Sequence, residues 1–173
     1  VTTCYAAGAA FAMSQKISAL SLGDAALKSI GIRKGLPETE DQALVYLFMA
    51  SSSLSGEDYE KLLDDFIRQF PANADGYLRR ANYYASKGKD DQTWYDKAVA
   101  DFNQALKVAQ KKDDVYYNIG KLMYAYQLSK PEKTYKDWTY DTALKNVRQA
   151  IAIDPLPIYI QMEGDILFAQ QDY

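Results

Sequence analysis

The stretch Tyr116-Tyr117-Asn118-Ile119-Gly120-Lys121-Leu122-Met123, followed by Tyr140-Asp141-Thr142-Ala143, Val147, Ala150 and Asp154-Pro155, decides the fold. Its apolar residues recur at spacings of three and four, the period of an amphipathic helix, and nowhere in the chain do they alternate at two. Small residues at Gly120, Ala143 and Ala150 let two helices approach closely, while Tyr116, Ile119, Met123 and Val147 fill the space between them. Pro155 cannot continue the second helix, so it marks the end of the pair.

The same order recurs upstream. Tyr77, Ala81 and Tyr84 form a first helix, and Tyr95, Ala98, Phe102 and Ala105 a second. The spacing Ala98–Phe102–Ala105 equals the spacing Ala143–Val147–Ala150. Downstream, Ile160, Gly164 and Leu167 begin another copy, with Tyr173 in the aromatic slot before its second helix. Earlier copies are more degenerate. Ala43, Tyr46, Leu47 and Ala50 make one helix, and Tyr59, Leu63, Phe66 and Phe70-Pro71 its partner; before them, Tyr5 to Phe11 and then Ala19, Ala26 and Ile30 make another pair.

This order of aromatic, small, aromatic, alanine and proline resembles the tetratricopeptide repeat (TPR) family. The resemblance implies an all-α fold: one right-handed α-solenoid of antiparallel helix pairs spanning 1–173, about four and a half repeats long. The copies run 1–39, 40–73, 74–112, 113–156 and a partial 157–173. Extra residues near Lys89–Thr93 and Ser129–Lys136 fall between the two helices of a pair, where a solenoid can lengthen without disturbing its stack. The chain starts inside a helical pattern without Met, and its last copy stops before a second helix, which predicts a longer array. On that reading Ile160, Ile166, Leu167 and Phe168 need a covering helix. The small apolar run Cys4 to Met13 also resembles a signal-cleavage region, but it fits the packing pattern of a first helix better.

Composition narrows function. With 173 residues, 48% of them apolar and 25% charged, the chain can bury a sizeable core. A net charge of −3 and a pI near 5.0 argue against a nucleic-acid partner, which calls for a basic face. The absence of histidine removes the commonest general base and the commonest transition-metal ligand. The lone Cys4 allows no intramolecular disulfide and has no histidine to activate it. The apolar stretch Ala43–Ala50 is far short of the roughly 20 residues of a membrane span. Asp64-Asp65, Asp90-Asp91 and Asp113-Asp114 read as solvated or helix-capping carboxylates. The reading is therefore of a protein that is not an enzyme and carries no cofactor and no metal. Its Tyr-rich, His-free composition resembles that of some bacterial envelope repeat proteins, which points to a bacterial cell envelope or periplasm.

The resemblance also implies where ligands bind. First helices of successive TPR repeats line a concave groove, here including Leu44, Phe48 and Ser51, then Asp75, Leu78, Arg79, Asn82 and Ala85, then Asp114, Tyr117, Asn118, Lys121 and Tyr124, and finally Gln161, Met162 and Asp165. Asn82 and Asn118 stand in the two asparagine places of the family's carboxylate clamp for a peptide C-terminus. Leu78, Ile158 and Met162 replace the clamp's cations. An Asn amide can both donate to and accept from an extended peptide. The expectation is a protein–protein scaffold whose groove takes an acidic or C-terminal peptide segment on Arg79, Asn82, Asn118 and Lys121, flanked by Tyr117 and Tyr124. Against it stands the reading of these residues as an ordinary solvated helix face. Trp94 and Trp138 lie at the inserted loops, outside the repeat pattern. They pin those loops to the body, or form an aromatic rim for a glycan or small ligand. A third alternative is an accessory region of a larger enzyme or sensor.

Overall fold

The computed structural model describes residues 36, 38–52, 54, 56–88, 91–129 and 135–171. All but Leu36 belong to one compact unit, Pro37–Tyr173. The expected copy at 1–39, with Cys4, and the aromatic slot at Tyr173 lie outside the described residues, as do parts of both inserted loops.

The described residues are helical, with no strand among them: α1 Glu40–Ala50, α2 Gly56–Gln69, α3 Ala74–Lys87, α4 Thr93–Val108, α5 Asp113–Leu128, α6 Tyr140–Ile153 and α7 Pro157–Gln171. Local chemistry sets several of these starts. The Asn73 side chain accepts from the backbone N–H groups of Asp75 and Gly76, satisfying donors that the first turn of α3 leaves unpaired. Thr139 and Thr142 form a reciprocal capping box at α6.

Each helix packs on the next, and α3 also meets α5, and α5 meets α7. Tyr77, Leu78, Ala81 and Tyr84 of α3 pack with Ala98, Phe102 and Ala105 of α4 and with Val115 of α5. Gly120 seats α6 on α5: a Cβ placed there would lie 2.7 Å from a Val147 methyl and 2.9 Å from the Ala143 carbonyl oxygen. Gly76 does the same for α2 and α3, against the Phe66 ring. The α6–α7 contact buries Ala143, Leu144, Val147 and Ile166. Ile166 thus differs from the expectation that it lacks cover, because α6 already covers that side of α7. Ile158, Ile160, Leu167 and Phe168 are exposed.

One charged junction ties three helices. The Arg80 guanidinium on α3 donates from Nε and Nη2 to both oxygens of buried Asp101 on α4, each at 2.7 Å. Its Nη1 donates to Asp64 of α2, also at 2.7 Å. A planar fork against a carboxylate satisfies both groups where water is scarce.

Candidate functional site

On α3, Asp75, Arg79 and Asn82 stand at i, i+4 and i+7, so they share one face; Asp114, Asn118 and Lys121 stand in the same register on α5. The structure joins the two faces through the asparagines: Asn82 Nδ2 donates to Asn118 Oδ1 at 3.2 Å. Asn118 Nδ2 in turn donates to the Asp114 carbonyl at 2.8 Å and to its carboxylate at 3.1 Å. Asn82 itself is exposed.

A cavity of about 380 Å³ opens beside Asn82, lined by Arg79, Tyr59, Tyr83, Ser51 and Leu54. It lies where the C-terminal end of α1 and the N-terminal end of α2 meet α3. Tyr83 is fixed there by donating its hydroxyl to the Gly56 carbonyl at 2.6 Å, and its ring meets Tyr59 edge-on at 5.8 Å. Arg79 lies with its guanidinium carbon 6.0 Å from the Phe48 ring centre. Its Nε is shielded from solvent and has no hydrogen-bond partner. Among the described residues no carboxylate pairs with it, in contrast to Arg80 one position along, which holds two. Burial pushes the Tyr59 phenol above its ordinary range, and the charge of the nearby Arg79 guanidinium pulls the other way. A guanidinium with no carboxylate partner among the described residues, lining a cavity walled by phenols, can pair with an anionic group.

The other end of the face is acidic. The Asp114 carboxyl is held above the ordinary carboxylate range, first by loss of solvent around it and then by the Asp75 and Asp113 charges; Lys121 opposes this. Lys121 is exposed. Tyr124 is half-buried and donates to the Asp165 carbonyl at 3.4 Å.

Two expected contributors are placed elsewhere. Tyr117 is buried, its ring 4.8 Å from that of Tyr159 on α7, so it offers no face to a peptide. Helix α7 caused this: Tyr159 stacks on it and donates its own hydroxyl to Asp113. Trp138 is only 2% exposed, enclosed by Tyr95, Tyr126 and Tyr135, and so forms no exposed rim. It holds the segment before α6 onto α4 and α5. Trp94 remains half-exposed, but the ammonium groups of Lys87 and Lys97 lie 4.5 and 4.1 Å from its ring centre, and Tyr84 packs beside it. A sugar stacking on that indole would have to displace cations already held by its π face.

Tyr59 and Tyr83 are the site residues that sequence reading missed. Tyr83 follows Arg79 by four, which was a usable signal; Tyr59 sits on α2, a helix read as packing, and nothing in its spacing pointed to the cavity. Among the described residues no group of three or more His, Cys, Asp or Glu side chains is placed to hold a metal ion, and no helix is long and apolar enough to cross a membrane. Compared with known proteins, the chain matches no family model, and no curated protein shows significant similarity to it.

Proposed function

We propose that this chain is a TPR-like right-handed α-solenoid and serves as a non-catalytic protein-binding scaffold. Its groove takes an acidic or C-terminal peptide segment. The observation that carries this reading is Arg79: a cation without a carboxylate partner among the described residues, facing a 380 Å³ cavity whose rim carries Asn82, which is itself bonded to Asn118. The peptide's carboxylate pairs with Arg79, and the asparagine amides exchange hydrogen bonds with its backbone. The order of packing supports the architecture: pairs α1–α2, α3–α4 and α5–α6 follow the copies 40–73, 74–112 and 113–156, and the first helices α3, α5 and α7 touch one another in turn.

The test is an array of acidic peptides synthesised with free and amidated C-termini, read by fluorescence anisotropy. Binding by the parent chain should weaken at least tenfold in Arg79→Ala, since hydrogen bonds to charged groups contribute about 1.5–3 kcal/mol. Asn82→Ala and Asn118→Ala should each weaken it less. Peptides held equally by Arg79→Ala would remove this site from the reading.

A further inference from the structure

A second cavity, of about 250 Å³, lies away from the groove, between α4, α5, the start of α6 and the segment that precedes it. Its floor is apolar: Val99, Phe102, Leu106, Leu122 and Met123, with the largely enclosed Trp138 at its edge. It shares no lining residue with the Arg79 cavity. Helix interfaces in folded proteins leave few voids larger than a water molecule, and apolar walls hold water poorly. An apolar cavity of about 150 Å³ accommodates benzene. At 250 Å³ this one has room for a fused pair of rings.

Its rim has a definite polarity. Asn146 commits its amide nitrogen to the Thr142 carbonyl at 2.8 Å and to the Met123 sulfur at 3.7 Å, which leaves its amide oxygen as an acceptor. Asp137 adds a carboxylate. Among the described lining residues the cation is Lys136, already paired with Asp96 at 2.5 Å, and Asn103 adds an exposed amide. A carboxylate and amide oxygens, with no idle cation among the described lining residues, favour a neutral ligand that donates a hydrogen bond over an anion.

We infer that this cavity is a binding site for a compact, neutral, bicyclic aromatic molecule with one N–H or O–H donor, of the size and chemistry of indole. The rings occupy the floor against Trp138, and the donor reaches Asn146 or Asp137 at the mouth. Apolar burial supplies the affinity and the donor sets the orientation.

Trp138 reports on its own site. With two tryptophans in the chain, the indole Nε1–H region of a ¹⁵N correlation spectrum holds two signals, which Trp94→Phe assigns. Titrating free indole into the full chain should shift the Trp138 signal saturably and leave that of Trp94 in place. Leu106→Phe, which puts ring volume into the cavity, should weaken indole at least tenfold. 1-Methylindole, which lacks the donor, should bind the parent chain several-fold more weakly than indole. No movement of the Trp138 signal at millimolar indole overturns the site. So does undiminished binding in a Leu106→Phe chain that melts like the parent. Should that variant fail to fold, the 1-methylindole comparison on the parent chain decides: equal or tighter binding rejects the donor-selective site.

Discussion

Asp96 carries more structure than its exposure suggests. One of its oxygens accepts from both the Tyr135 hydroxyl and the Lys136 ammonium, each at 2.5 Å, and so fastens the segment before α6 onto α4. The Lys136 and Tyr135 hydrogen bonds hold its carboxyl below the ordinary carboxylate range. A carboxyl whose pKa is lower folded than unfolded stabilises the fold fully above its unfolded value, near 4, and loses that contribution as pH falls through the folded value. Asp96→Ala should therefore lower the melting temperature at neutral pH and red-shift Trp emission as Trp138 loses its cover. Below the folded value of Asp96 the parent and the variant should melt alike. A gap between them that persists into strong acid would assign the effect to packing. Lys136 also holds a positive φ of 51°, a backbone conformation costly for a side chain with a Cβ. The ion pair with Asp96 helps keep it there.

At the scale of the element, two glycines behave oppositely. Gly120 on α5 stands four residues after Tyr116, and Gly164 on α7 four after Ile160. A Cβ at Gly120 meets Val147 and the backbone of Ala143, and backbone cannot swing aside; at Gly164 nothing lies within 4 Å. Gly120→Leu should cost about 1–3 kcal/mol by urea denaturation, because it forces α5 and α6 apart. Gly164→Ala should instead stabilise by about 0.5–1 kcal/mol, since a helix-interior glycine gives up more chain entropy than alanine. If both substitutions destabilise equally, α7 carries a neighbour on that face in solution.

At the scale of the whole molecule, stability is distributed along a chain of neighbouring interfaces, with few contacts between helices distant in sequence. Such a chain depends on its junctions. The Arg80–Asp101–Asp64 fork binds α2, α3 and α4 at once, and Asp101 is 5% exposed. Asp101→Ala leaves the guanidinium short of two acceptors in a dry place. It should cost about 3 kcal/mol in chemical denaturation, within the range for breaking a buried pair. Hydrogen exchange should quicken most in α2 to α4, where the fork's partners lie, while α6 and α7 keep their protection. A uniform loss of protection along the chain would show that the unit unfolds as one cooperative block.

The sequence by itself determined the helices and their pairing. Periodicity is a local property, and the small residues that permit close approach, such as Ala81, Ala98, Ala105, Ala143 and Ala150, are all fully buried. It also located Arg79, Asn82 and Asn118 on helix faces, because a face follows from register alone. Only the tertiary structure decided which of those residues act together. The Asn82–Asn118 bond spans 36 positions and depends on how α3 meets α5. The Arg79 cavity draws Tyr59 from a helix that looked merely structural, and Tyr117, legible as a groove residue, is covered because Tyr159 stacks on it from α7. Trp138, an outlier to the repeat pattern, proved to be core for the same reason: its partners Tyr95 and Tyr126 come from other helices. Spacing along one helix fixes where a side chain points, but the neighbour it meets is set by the packing of helices far apart in the chain, where no local pattern records it.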